Sequence, residues 1–151
     1  MNGHAINVAS WNVHGQNDPD RRAMVFETIS DSTCHIVCLQ ETKLELVDSF
    51  IAASIGGMCF QGFAQRPAVG TRGGIIILCD QEVVDLSDID VRPYSFSAIV
   101  TSKQDNDTFK ITVVYGPMAY NLKDDFFGEL VAQKPPTGTK WLALGDFNQI
   151  Y

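Results

Sequence analysis

The sequence predicts an α/β fold on three observations. The first third of the chain reads strand, helix, strand, helix, the order that pairs parallel strands through helical crossovers. Three apolar runs, residues 5–9, 36–39 and 141–144, each end in a motif rich in side-chain oxygen: Ser10-Trp11-Asn12-Val13, Leu39-Gln40-Glu41-Thr42-Lys43 and Gly145-Asp146-Phe147-Asn148. Ligands gather at the ends of strands in open α/β sheets. With 151 residues, 45% of them hydrophobic and 19% charged, the chain is expected to form a single globular domain over residues 1–151 with a real core.

The elements follow in order. Residues 5–11 form the first strand candidate. Asp18-Pro19-Asp20 opens a helix with an N-cap acid, proline at the first position and a second acid in the first turn. Val25, Phe26 and Ile29 give that helix an apolar stripe. A strand over 35–40 ends at Glu41. Thr42-Lys43-Leu44-Glu45 fits a capping box, so a second helix is expected from there, with Val47, Ile51 and Ile55 repeating every four residues beside Leu46 and Phe50, until Gly56-Gly57 stops it. Residues 58–63 are a short strand candidate. A glycine-rich loop with Arg66 and Arg72 precedes the apolar strand 75–79, which residues 82–86 are expected to continue after a bend. Residues 94–101 and 108–115 flank the polar cluster 103–107 and read as an antiparallel hairpin. Ile111, Val113 and Tyr115 share one face of its second strand, and Thr112 and Val114 the other. A helix over 121–132 with Leu122, Phe126, Phe127 and Leu130 on its apolar side runs into the breaker Lys134-Pro135-Pro136, and the last strand covers 140–145. A flavodoxin-like nucleotide binder is disfavoured, because no glycine-rich phosphate loop follows the first strand.

Composition limits the function classes. The formal net charge of −7 argues against tight binding of nucleic acid through this surface alone, since phosphate contacts need Lys and Arg. It is compatible with carboxylates that hold a cation, which in turn meets a phosphate. The four cysteines, at 34, 38, 59 and 79, form no Cys-x-x-Cys pair and have no zinc-type His spacing. Buried, reduced thiols in an intracellular protein are expected. The start of the chain lacks a basic leader, and the longest apolar run, residues 75–79, is too short to span a bilayer. No membrane association is expected, and nothing in the sequence points to a protein partner.

Each candidate site residue also has a plain structural reading. Glu41 can complement a helix dipole, Gly-Asp-x-Asn is a common turn, Asn12 can close a turn, and His14 fits a surface loop. Tyr115 can be a half-buried ring with its hydroxyl in water. Together, Glu41, Asp146 and the amides of Asn12 and Asn148 supply oxygen and no thiol. That donor set suits Mg²⁺ or Mn²⁺ rather than zinc. Mg²⁺ binds through one or two carboxylates, waters and substrate phosphates, which points to phosphodiester chemistry.

The motifs Ser-Trp-Asn-Val-His-Gly, Leu-Gln-Glu-Thr-Lys, Gly-Gly-Ile-Ile-Ile-Leu, Val-Tyr-Gly-Pro and Gly-Asp-Phe-Asn occur in this order from about Ile6 to Tyr151. The chain thereby resembles the endonuclease/exonuclease/phosphatase superfamily, and within it the endonuclease domain of LINE-type (non-LTR) retrotransposons. The resemblance implies a four-layer α/β sandwich of two mixed β-sheets flanked by helices. It implies that Glu41 binds the metal, with Asn12 supporting the metal and its waters. It further implies that Tyr115 contacts the scissile phosphate region, Asp146 orients or deprotonates the attacking water at the metal, and Asn148 hydrogen-bonds the phosphate. The implied substrate is DNA, nicked to leave a 3′-hydroxyl, and the implied location is nuclear. His14 departs from the Asp that apurinic-site enzymes carry there, which favours the LINE-type group.

The superfamily also carries a second half with further strands, an Asp and a closing Ser-Asp-His motif. This sequence has no Asp-His pair, and its histidines, 4, 14 and 35, all precede residue 36. The expectation is therefore a C-terminally incomplete domain with impaired catalysis, unpaired sheet edges and low solubility. The alternatives are a phosphatase or phosphodiesterase acting on small phosphoesters, and a non-catalytic fragment.

Overall fold

A computed structural model describes residues 5–70 and 73–148; His4, Arg72 of the glycine-rich loop and Tyr151 lie outside the described residues. The elements run β1 (Val8–Asn12), α1 (Pro19–Ser30), β2 (Ile36–Gln40), α2 (Ser49–Gly56), β3 (Gly62–Arg66), β4 (Ile75–Cys79), β5 (Val84–Val91), β6 (Ser95–Ser102), β7 (Thr108–Tyr115), a 3-10 turn (Tyr120–Leu122), α3 (Lys123–Gln133) and β8 (Lys140–Asp146). They build two four-stranded sheets, ordered β1-β2-β4-β3 and β5-β6-β7-β8. Each is mixed: β1 pairs β2 and β7 pairs β8 in parallel, and the other neighbours are antiparallel.

The layers follow from which faces are apolar. In β2 and β4 every residue is buried, as expected of strands covered on both sides. Val37, Leu39, Ile76 and Leu78 face Val25 and Ile29 of α1 and Ala52 and Ile55 of α2. The alternate residues Ile36, Cys38, Ile75 and Ile77 face the second sheet through Phe96, Ala98, Val100, Ile111 and Val113. Beyond the second sheet lies α3, whose Phe126 and Gln133 are buried. The result is the four-layer sandwich, with helices on both outer faces. None of the described helices is long and apolar enough to cross a membrane.

α1 starts as expected, with the Asp18 side chain accepting from the Asp20 N–H and Pro19 in the first turn. α2 starts later than the capping-box pattern predicts: its N-cap is Asp48, which accepts from the Ile51 N–H at 2.8 Å. Thr42 is buried and its N–H bonds the Gly74 carbonyl, while Lys43 has φ +58°, so no helix can pass through them. The local pattern lost to long-range backbone pairing. Leu46 and Phe50, beside that repeat in the sequence, are 73% and 77% exposed, and Val47 and Ile55 fill the core. The strand expected over 58–63 forms at Gly62–Arg66. Residues 82–86 do not extend β4. A turn in which the Val83 and Val84 N–H groups both bond the Asp80 carbonyl crosses to the other sheet, where β5 pairs β6. Cys38 and Cys79 are buried free thiols, and burial pushes both thiol pKa values up, Cys79 to about 11.

Candidate active site

Glu41 leaves the sheet directly after β2 with φ +53°, a left-handed conformation that costs a non-glycine residue about 1–2 kcal/mol. Backbone bonds on both sides hold it there. On one side, Val13 N–H bonds the Gln40 carbonyl (3.0 Å), Gly15 N–H that of Glu41 (2.7 Å), Gln16 N–H that of Thr42 (2.7 Å), and the Asn17 side-chain amide that of Lys43 (2.8 Å). On the other, Thr42 and Lys43 donate to the carbonyls of Gly74 and Gly73 at 3.1 and 2.8 Å. His14, Lys43 and Asn148 share this sign of φ and cluster at the same end. Such strain persists only where the surroundings over-determine it, and it concentrates at functional sites.

Gly74 makes the close approach possible: at φ +93° an added Cβ would run into the Thr42 hydroxyl and lie 3.1 Å from the Lys43 nitrogen. Gly74→Ala is therefore expected to destabilise the fold by more than about 1 kcal/mol, read as a lower melting temperature. An unchanged melt would contradict it.

The second sheet reaches the same carboxylate. Tyr115 ends β7 on the face it shares with Ile111 and Val113, between the sheets, and its hydroxyl donates to Glu41 Oε1 at 2.7 Å. His14 Nδ1 lies 3.1 Å from Oε2. The Asn12 side chain also bonds Glu41, and its Oδ1 accepts from the His14 N–H at 3.2 Å. These contacts, Tyr115 foremost and then the His14 and Asn12 side chains, hold the Glu41 carboxyl below the usual carboxylate range against a partly opposing desolvation. The bond to Glu41 and then burial push the Tyr115 phenol up to about 12, with the nearby Asp146 charge adding to the effect. At neutral pH the pair is a carboxylate and a neutral phenol.

The depressed Glu41 pKa contributes stability that is present above the ordinary carboxylate value and is lost as pH falls through the depressed one. Tyr115→Phe removes the largest cause of that depression. Glu41 is then expected to titrate at higher pH, so its contribution is smaller and its acid-side loss is complete at a higher pH. Carboxyl ¹³C NMR of Glu41 checks it, and an unmoved midpoint would refute it.

Asp146 closes β8 directly beside Tyr115 in the β7–β8 register. Its Oδ1 accepts from the Asn148 N–H at 2.9 Å, and the Asn148 side-chain amide donates to the Gly116 carbonyl at 2.7 Å. The Gly-Asp-x-Asn turn and the candidate site are thus one object. Gly145 (φ +122°) and Gly116 let the turn press against β7, since an added Cβ would collide with the Val114 carbonyl at Gly145 and with the Phe147 carbonyl at Gly116. Asn148 has one amide hydrogen on Gly116 and a second to offer elsewhere. Asn12, Glu41, Tyr115 and Asp146 therefore gather at one end of the sandwich. The sequence reading left two contributors unassigned. His14, read as a surface loop residue, lies against Glu41. The Gly73-Gly74 pair, whose signal is a double glycine just before a buried strand, props up the Glu41 loop.

A hard cation fits the donor set with limits. The described residues hold no cluster of three or more His, Cys, Asp or Glu placed to grip a metal. Glu41 is ionised, with Asn12 beside it and Asp146 across Tyr115. One or two carboxylates completed by water and a phosphate is the binding habit of Mg²⁺.

A family model described as endonuclease/exonuclease/phosphatase matches residues 9–151. No curated protein matches the sequence at a significant level. Among solved structures, the chain is similar to the human Nocturnin catalytic domain with bound sulfate, at TM-score 0.74 and 18% identity, covering 96% of this chain and 64% of that one. It is similar to a humanized D. rerio TDP2, at TM-score 0.71 and 17% identity, covering 96% and 63%. It is also similar to a Bacteroides thetaiotaomicron mannosyl-6-phosphatase, at TM-score 0.70 and 12% identity, covering 95% and 66%. The chain spans just under two thirds of the length of these structures, and at such identities the likeness is one of fold.

Proposed function

Because this chain belongs to the endonuclease/exonuclease/phosphatase family, we propose that it is a Mg²⁺-dependent phosphodiester hydrolase that nicks DNA in the nucleus, as a LINE-type retrotransposon endonuclease domain would. The observation that carries the reading is the Tyr115–Glu41 hydrogen bond. It ties the ionised carboxylate at the end of β2 to the strand pair that ends in Asp146, so that two carboxylates from separate sheets face one place.

Glu41 and Asn12, with Asp146, would hold the cation, which when bound supplies Lewis-acid polarisation of a phosphoryl oxygen. The protein's own groups do the rest. Asp146 takes the proton of a water whose oxygen bonds to phosphorus as the bond to the 3′-oxygen breaks, and the departing 3′-oxygen takes a proton from a solvent water to leave as a 3′-hydroxyl. A positioned base of this kind contributes about 10²–10⁴-fold. The second amide hydrogen of Asn148 offers a hydrogen bond to a phosphate oxygen as charge develops, while the Tyr115 phenol, its one proton given to Glu41, lies at the scissile phosphate region and holds the carboxylate in place. Mg²⁺-dependent conversion of supercoiled plasmid to nicked circles, lost on chelation and in Glu41→Gln, is the expected result. Nicking that survives both treatments overturns the reading. The net charge of −7 favours a second reading, hydrolysis of a small phosphoester. Turnover of a sugar phosphate or an inositol phosphate without DNA cleavage would establish it instead.

A further inference from the structure

Strand β8 is the open side of the second sheet. The strand order ends there, so one row of its backbone N–H and C=O groups pairs β7 and the other has no strand beside it among the described residues. Residues 140–143 are exposed and residues 144–146 half-buried. Trp141 and Leu142 are each 37% exposed. Such an edge is a template for another strand, and proteins usually blunt it with charges, proline or a bulge. The opposite edge of this sheet is blunted in that way: β5 carries Asp85, Asp88 and Asp90, and its register with β6 breaks between Ser87 and Asp90. In β8 the four residues from Trp141 to Leu144 are all apolar, and charges stand only at its two ends, Lys140 and Asp146.

The sequence of β8 is complementary to itself. Laid antiparallel on a second copy with Ala143 on a two-fold axis, Lys140 meets Asp146, Trp141 meets Gly145 and Leu142 meets Leu144, each pair twice. The first pairing joins opposite charges, the second sets a large ring against a residue with no side chain, and the third joins two leucines. Sliding the partner by two residues in either direction sets a charged side chain, Lys140 or Asp146, against a leucine. The faces agree as well. Leu142 and Leu144 stand beside Ile111 and Val113, on the side between the sheets. Trp141 lies on the α3 side, where its Nε1 donates to Thr112 Oγ1 at 2.9 Å. Opposed residues of an antiparallel pair share a face, so the apolar layer of one copy runs on into that of the other. Within one chain Lys140 pairs with Asp107 at 2.6 Å, both exposed, and an ion pair in water is weak enough to exchange.

We propose that two copies of this chain associate edge to edge through β8, joining their four-stranded sheets into one of eight strands about a two-fold axis at Ala143. A self-complementary two-fold contact closes on itself, so the β8 edge offers nothing to a third copy. Because the paired strands run antiparallel, the two Glu41 sites face opposite ways, and Lys140 of the second copy comes to lie next to Asp146 of the first. This goes beyond the hydrolase reading and does not depend on it.

The test is analytical ultracentrifugation of the whole chain from about 1 μM to about 1 mM. A monomer–dimer equilibrium is expected. Lys140→Asp, which turns two attractions into two repulsions, is expected to weaken it about ten-fold. Ala143→Cys tests the register. On the axis each new thiol faces its own copy, so mild oxidation is expected to link the dimer faster than in Ser87→Cys, placed on the blunted β5 edge, where the exposed Cys59 sets the same background in both. The cysteine variants keep the charges of β8 and decide the matter should Lys140→Asp not fold. The proposal is overturned by a monomeric mass throughout the series, by a mass that grows without limit, by a folded Lys140→Asp that associates as the wild type does, or by Ala143→Cys linking no faster than Ser87→Cys. No turnover is measured, so the plasmid result and this one stand or fall separately.

Discussion

Glu41→Gln is expected to lower nicking by at least about 10²-fold while changing stability by only about 1 kcal/mol. The amide is nearly isosteric and its oxygen can still accept from the Tyr115 hydroxyl, now 2.7 Å from Oε1. It keeps the length of the side chain and leaves untouched the backbone bonds from Gly15 N–H to the Glu41 carbonyl and from Thr42 N–H to the Gly74 carbonyl. Only the charge goes. Glu41 is held ionised below the ordinary range, so at neutral pH the wild type always presents a full negative charge to a cation, and the variant presents none. The small stability loss is the difference between a charge-assisted and a neutral hydrogen bond. Paired measurement of nicking rate and urea midpoint separates the two effects. A variant that nicks at the wild-type rate removes Glu41 from the chemistry. One that unfolds would show the carboxylate to be chiefly structural.

Phe126→Ala is expected to cost about 3–5 kcal/mol, the usual range for deleting a buried aromatic ring. Phe126 is fully buried and anchors α3 on the second sheet, beside the hydrogen bonds that Glu129 and Gln133 accept from Ser95 and Ser97. Its ring centroid lies 5.7 Å from Tyr94 at 79°, 5.4 Å from Phe127 and 6.3 Å from Phe147 at 65°. Phe147 stands between Asp146 and Asn148, so the cavity would reach the turn that carries both. Activity is expected to fall more than stability alone explains, because the Asn148–Gly116 bond loses its backing. Chemical unfolding checks the first part, and a loss below about 1 kcal/mol would refute it.

Much of this was legible in the sequence, and the reasons are local. Strand β4 is all apolar and short, so its burial on both faces reads directly. Asp18-Pro19-Asp20 contains its own helix start. The alternation that puts Ile111, Val113 and Tyr115 on one face already aimed Tyr115 between the sheets. What was illegible depended on distant partners. Thr42 looks like a helix cap until the Gly74 carbonyl takes its N–H. Residues 82–86 look like more of β4 until the Asp80 turn sends them to β6. His14 gives no sign of lying against Glu41, since its place is set by backbone pairing between residues 13–16 and 40–42.

The hydroxyl of Tyr115 bridges the two sheets at their common rim. Any slippage of one slab over the other, by a fraction of an ångström, would be felt first at that bridge. Substitutions far away in the inner apolar layer, at Phe96 or Ile77 for instance, can therefore detune the rim without touching it, as loosening a hinge pin alters how the jaws meet.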